Sequence, residues 1–264
     1  MENGFGTFVQ QLPLPLLLIG TGLLWLAENY SNSLPLPANR VRHGLRNAVV
    51  AVVNLTALIL ISGIIVFASE LSRSWQIGVL HWLGPSGLLL FLVAFLMYDA
   101  VNYGIHRSLH TWPWLWRWHR SHHTDSYLDV TSAFRFHPGE SVYRAAVFGV
   151  AVFVLGIGLE VVWTYQAFVV VALLVSHANI PISDNIYKKL RYFVVLPSIH
   201  RVHHSILRRE HDSNYGIGLM FWDHILGTYT SPLAVKDLKI GLPGYDKDSD
   251  QTVAAILTDP IRSP

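Results

Sequence analysis

Residues 88–110, LLLFLVAFLMYDAVNYGIHRSLH, decide how the rest of the chain is read. The stretch opens on an uncharged apolar run and continues through Asp99 and Tyr103 to His106 and His110. Together with the residues just before it, the run approaches the ~20 residues a helix needs to cross a bilayer. On a helix, a spacing of four puts His106 and His110 on one face, and Asp99 and Tyr103, seven and three residues before His106, share that face. An aspartate in an apolar helix needs a partner. Accepting the free N–H of a metal-bound imidazole would supply one.

Composition agrees with a membrane class. Of 264 residues, 52% are apolar and 14% charged, against roughly a quarter charged in soluble domains. The absence of cysteine excludes a disulfide framework, thiolate zinc sites, iron–sulfur clusters and thiolate-ligated haem. A net charge of +2 gives no argument for nucleic acid. The 14 histidines are the unusual feature.

Outward from this stretch, spans are expected near 12–27 (with an early start near Phe8), 48–68, 86–105, 142–157 and 161–177. The last two come from one apolar block, too long for a single crossing of ~30 Å and read as a hairpin turning at 156–160. The segment before residue 12 has Glu2 and no basic residue, so it does not read as a cleaved signal. His-rich segments 106–140 and 178–230 and a tail, 231–264, lie outside these runs. The expectation is a single all-α membrane domain: a bundle of four to five spans with a helical cap. Arg40, Arg42 and Arg46 follow the first run, and most other basic residues follow the third and fifth, while Arg73 alone lies between the second and third. The positive-inside rule then puts the cap and tail in the cytoplasm. An even number of crossings separates the two His-rich segments, so they share that face. The aromatic run 112–118, with Trp112, Trp114, Trp116 and Trp118, marks the interface.

Two boxes repeat one spacing: His119-Arg-Ser-His122-His123 and His200-Arg-Val-His203-His204. Positions i, i+3 and i+4 converge on one side of a helix, so each box offers two or three imidazoles to one centre. His137 and His177 stand singly near the same face; His43, His81, His211 and His224 are weaker candidates. Eight to ten imidazoles exceed what one ion takes and point to two metals. Imidazole suits iron, copper, zinc and nickel alike. There is no His-Glu-x-x-His, which argues against a metalloprotease.

These boxes, with Asp99-x-x-x-Tyr103, His137-Pro-Gly-Glu140, Ser176-His177, Asn214-Tyr215-Gly216 and Trp222-Asp223-His224, resemble the fatty acid hydroxylase/sterol desaturase superfamily of integral-membrane di-iron oxygenases. The resemblance covers about half the chain. It implies a poly-His dimetal site holding two iron ions, with O₂ as co-substrate, that hydroxylates or desaturates a lipid. It assigns metal ligation to His106, His110, His119, His122, His123, His200, His203 and His204, completed by His137 and His177, with Asp99, Tyr103 and Asp223 behind them. Electrons must come from a separate reductase, ferredoxin or cytochrome, since the chain carries no dinucleotide fingerprint and no fused haem domain. Lys188, Lys189, Arg191, Arg208 and Arg209 are a candidate docking surface for an acidic carrier. By analogy, a bacterial inner membrane is favoured over the endoplasmic reticulum. The alternative from the residues alone is a polyhistidine membrane metal-ion transporter.

Overall fold

The structure, a computed structural model, describes residues 13–84, 86–234 and 237–261, and among these β-pairing is limited to two isolated bridges. The start of the first apolar run, near Phe8, falls outside the described residues. Five long helices carry the apolar runs: α1 Pro13–Tyr30, α2 Arg40–Trp75, α4 Gly87–Thr111, α6 Pro138–Leu155 and α7 Leu159–His177. Helices α4, α6 and α7 are long and apolar enough to cross a membrane. Side chains such as Leu18, Val52, Ile59, Leu89 and Val150 point outward, as lipid-facing positions do. Shorter helices complete the chain: α3 Val79–Leu83, α5 Pro113–His123, α8 Asp184–Leu190, α9 Pro197–His203, α10 Arg208–His211, α11 Phe221–Ile225 and α12 Val253–Thr258.

The hairpin expected at 156–160 is present. Helix α6 stops at Gly156, whose φ of +76° is the left-handed conformation that favours glycine. A Cβ on Gly78 would lie 2.5 Å from the Gly156 backbone, so two glycines let the turn after α2 meet the α6–α7 turn. Helix α2 packs along α6, and α1 packs along α7. Tyr98 of α4, Phe148 of α6 and Tyr165 of α7 join the spans, with ring centroids 4.6 and 5.0 Å from Tyr98.

The opposite end is polar yet buried. Glu28 is fully buried; it pairs with Arg40 and accepts the backbone N–H groups of Val130 (2.8 Å) and Asn179 (2.7 Å). His43, a weaker ligand candidate in the sequence, is on α2 and meets Asp125 at 2.9 Å. The tail closes over α5, where Arg120 donates to Asp259 (2.8 Å) and Ser121 to the Ile256 carbonyl (3.1 Å). Residues 190–226 reach further along α4 than a cap seated on the helix ends would. Trp222 donates its indole N–H to Asp99 (2.8 Å), and Phe193, Leu219, Phe221 and Ile225 share a groove of about 550 Å³ with Leu96.

Glu28 ties three separate segments together, so removing its carboxylate leaves the buried Val130 and Asn179 N–H groups without their acceptor and Arg40 with Asp129 (3.4 Å) as its remaining carboxylate. We expect Glu28→Ala to cost about 3–5 kcal/mol, the cost of breaking a buried pair, read as a lowered Tm of the purified protein in detergent. An unchanged Tm would show that water replaces the carboxylate without penalty.

Candidate metal centre

Three prolines set the helices that carry the histidines. Pro113, Pro138 and Pro197 each stand in the first turn of a helix, where the missing N–H costs nothing and φ is already helical. The corner at Trp112–Pro113 ends α4 just past His110 and turns the chain, so that α5 lays His119, His122 and His123 against the end of α4. Helix α7 ends on His177, and α9 brings His200 and His203 beside it, with His204 as its C-cap. With His106 of α4 these make nine histidines, none more than 3% exposed.

The rings form two abutting groups. His106, His110, His119, His123 and His203 make one, and His122, His177, His200 and His204 the other; in each, one ring nitrogen per residue lies within 4.8 Å of all the rest. The groups touch where the His123 ring stacks on His204 at 4.6 Å. Nε2 atoms lie 3.1 Å apart between His106 and His119, and 3.2 Å apart between His119 and His123. In the second group, His177 sits 3.2 Å from His122 and 3.1 Å from His200.

The opposite ring nitrogens decide what these distances mean. Nδ1 of His106 faces the Tyr215 carbonyl at 2.7 Å, and that of His203 the Ser213 carbonyl at 2.7 Å. Nδ1 of His177 meets the Leu173 carbonyl at 2.9 Å, and that of His119 meets Glu140 at 2.9 Å. An oxygen acceptor at such range places a proton on Nδ1, so in the neutral imidazole Nε2 of each ring presents a lone pair. His106 and His119 therefore aim two lone pairs at one another across 3.1 Å. Nε2 of His110 and of His203 are likewise buried without a protein partner. Lone pairs so arranged repel unless a cation lies between them. Nitrogens bound at about 2.0–2.1 Å to one ion stand about 2.8–3.4 Å apart at right or tetrahedral angles. The separations match, and each group could hold a metal ion.

Not every residue singled out from sequence joins the groups. His137 is corrected: it caps α6, its Nδ1 accepting the Gly139 N–H (3.0 Å) and its Nε2 facing the Leu257 carbonyl (3.2 Å), so neither nitrogen is free for an ion. Asp99 does not receive an imidazole N–H. It accepts from Tyr165 (2.7 Å) and Trp222 instead, because a backbone carbonyl already serves His106. Asp223 does support the site, indirectly: it accepts the N–H groups of Tyr215 (2.8 Å) and Gly216 (2.7 Å), fixing the loop whose carbonyl holds His106. Tyr103 joins that loop through Thr228 (2.8 Å). His81 sits at the far end, against Gly156, and His224 faces the Arg191 carbonyl.

Sequence reasoning passed over Glu140, although it stands in the His137-Pro-Gly-Glu140 motif. Its second oxygen takes Arg144 at 2.7 Å, fixing the carboxylate that aligns His119. Asp212, 3.4 Å from Nδ1 of His110, was also missed, while His211, a weaker candidate in the sequence, borders the site, stacked on Trp116 at 5.4 Å.

Burial, with repulsion from neighbouring imidazoles, pushes His122, His123, His200, His203 and His204 well below the ordinary imidazole range. They stay neutral in the folded chain but protonate at about 6.5 when unfolded. The unfolded state thus binds more protons, and stability falls as pH drops through that value. We expect the metal-stripped protein to lose Tm between about pH 7.5 and 5.5, taking up more than one proton on unfolding. A Tm flat across that interval would contradict a cluster of neutral buried rings.

A family model described as fatty acid hydroxylase matches residues 91–228, just over half of the chain. Ornithine lipid hydroxylase OlsE of Rhizobium tropici is 32% identical over 142 residues, 54% of this chain and 42% of that protein. Human alkylglycerol monooxygenase is 30% identical over 142 residues, 52% of this chain and 29% of its own length. A very-long-chain aldehyde decarbonylase, GL1-9 of Oryza sativa subsp. indica, is 30% identical over 141 residues, 53% of this chain and 54% of that protein. The match thus spans about half or less of each relative. No solved structure matches the chain. The matched segment runs from α4 through the second histidine box to Thr228, holding all nine clustered imidazoles, and by it the chain belongs to the fatty acid hydroxylase family.

Proposed function

We propose that this chain is a membrane-bound oxygenase that inserts an oxygen atom from O₂ into a C–H bond of a lipid hydrocarbon chain, with two iron ions held by the nine imidazoles. The observation that carries the reading is the convergence of buried ring nitrogens whose lone pairs are turned toward one another by Nδ1–H bonds to fixed oxygens. In this reading His106, His110, His119, His123 and His203 hold one ion, and His122, His177, His200 and His204 the other. An all-imidazole donor set suits iron, and the hydroxylase and monooxygenase relatives favour it over other metals that imidazole also binds. Bound iron would supply the activation of O₂ and the oxidising power.

The chain's own residues do the rest. The Tyr215, Ser213 and Leu173 carbonyls and the Glu140 carboxylate hold a proton on Nδ1 of four rings, keeping Nε2 free and the ring planes fixed. Burial of the nine rings keeps bulk water off the reacting centre. The groups stand at the ends of α4 and α7, where apolar helix gives way to polar segments. An amphiphile whose chain lies in the bilayer and whose headgroup stays outside meets that boundary, which makes a polar-headed lipid the substrate class. The names of the bacterial and human relatives agree with that class. Two electrons from a separate carrier protein, with two protons, take the second oxygen atom to water, and the basic residues around the cap support a cytoplasmic placement.

The test is lipid mass spectrometry of cells with and without the gene, grown under ordinary and isotopically heavy O₂. We expect a lipid that gains one oxygen atom, with the heavier isotope appearing under labelled gas; no such species in any lipid class would sink the reading. Single substitutions separate ligands from bystanders. His203→Ala and His122→Ala, one from each group, should lower iron content and reduce turnover by more than about 100-fold, beyond the loss typical for residues behind a ligand. His137→Ala should cost about 1 kcal/mol through the lost cap while iron content stays at the parental level.

A further inference from the structure

We propose that the face formed by Tyr192, Phe193, Phe221, Ile225 and Leu226 is immersed in the acyl layer of the bilayer, and that its groove against Leu96 takes an acyl chain of a surrounding phospholipid. The inference rests on α4 and α7 crossing the membrane, and not on the chemistry of the metal centre.

Depth along two helices carries the argument. Leu96 lies nine residues into α4, about 14 Å from Gly87 at 1.5 Å per residue, near the middle of a hydrocarbon core about 30 Å thick. It lines the same groove as Tyr192, Phe193, Leu219, Phe221, Ile225 and His224, whose Nε2 is taken up by the Arg191 carbonyl at 3.1 Å. Asp99, which receives the Trp222 indole, is one turn further on. Helix α7 gives a second, separate marker. Phe168 is nine residues past Leu159, and a Cβ on Gly218 would lie 2.3 Å from its ring, so this loop closes on α7 at that depth.

The surface chemistry fits immersion. Phe193 is 64% exposed, Ile225 59% and Phe221 46%, a contiguous apolar patch of the kind that marks an interaction surface. It continues the outward face of α4, where Leu88, Leu89 and Leu92 are also exposed. Irregular backbone survives in lipid only when its polar groups are satisfied from within. Here the Val195 N–H reaches the Gly218 carbonyl (3.1 Å), Met220 reaches Phe193 (3.1 Å), and Leu226 reaches Trp222 (2.8 Å). Cations lie at the rim. Lys188 and Lys189 are exposed on α8, and the Arg191 guanidinium folds over the Tyr192 ring at 4.6 Å, an arrangement suited to a lipid phosphate above the groove.

The chain has no cysteine, so single-site labelling of the full-length protein tests this directly. Phe221→Cys and Ile225→Cys, each carrying a nitroxide, are compared in phosphatidylcholine–phosphatidylglycerol nanodiscs with Leu89→Cys as the lipid-facing control and Asp246→Cys as the aqueous one. The readout is relaxation by dissolved oxygen against relaxation by a water-soluble nickel chelate. We expect both cap labels to match Leu89→Cys, with an oxygen-to-nickel ratio several-fold above that of Asp246→Cys. A ratio like that of Asp246→Cys overturns the proposal. So does shielding from both reagents, which, with dipolar broadening, would assign the face to a second copy of the chain. The measurement needs no iron and no turnover, so its failure and that of the oxygenase reading are distinguishable.

Discussion

The direction in which the buried imidazoles point is the constraint on which the rest of the molecule turns. An imidazole taken out of water must satisfy both nitrogens or bear the cost of an unmatched polar group, about 1–3 kcal/mol each. In four of the nine rings, Nδ1 is satisfied by a fixed oxygen at 2.7–2.9 Å, and that choice leaves Nε2 facing its neighbours. Without a cation the result is a packed set of opposed lone pairs. With one, each becomes a bond. Metal affinity in such a site is drawn from folding energy, and helices α4, α5, α7 and α9 must all end at one level for it to be realised.

The surrounding structure holds them there with charge buried on purpose. Glu28 with Arg40, His43 with Asp125 and Arg120 with Asp259 brace the outer side of the histidine cluster. Asp223 clamps the loop that presents the Tyr215 carbonyl to His106, while Trp222, next to it, is anchored to Asp99 within α4. The same short helix thus fixes a ring of the candidate metal centre on one side and grips α4 on the other.

The histidine spacings and the apolar runs were readable because helical periodicity turns sequence offset into direction. His119, His122 and His123 had to share a side once α5 was helical, and the 156–160 turn followed from a block too long for one crossing. The partners of those rings were not readable. The acceptors for His106, His177 and His203 are backbone carbonyls, which every residue owns, so no side chain announces them. His137 misleads for a related reason. A histidine before Pro-Gly-Glu has the composition of a ligand, yet its position before a proline-started helix makes it an N-cap. Asp99 was placed on the correct face, but tyrosine and tryptophan from other segments reach it first.

The two boxes have one spacing, and that symmetry does not survive in the fold. In the first group, His119 is backed by the carboxylate of Glu140 and His110 by that of Asp212, while His106 and His203 are backed by carbonyls. In the second, only Nδ1 of His177 has such an acceptor; those of His122, His200 and His204 have no protein partner among the described residues. A carboxylate behind an imidazole raises its basicity and stiffens its orientation. An ion in the five-ring group would therefore sit among more basic and more rigid donors than one in the four-ring group. The rings of the second group keep more freedom to turn, so if iron fills both, its two ions are chemically unequal, and the looser one has the more adaptable coordination.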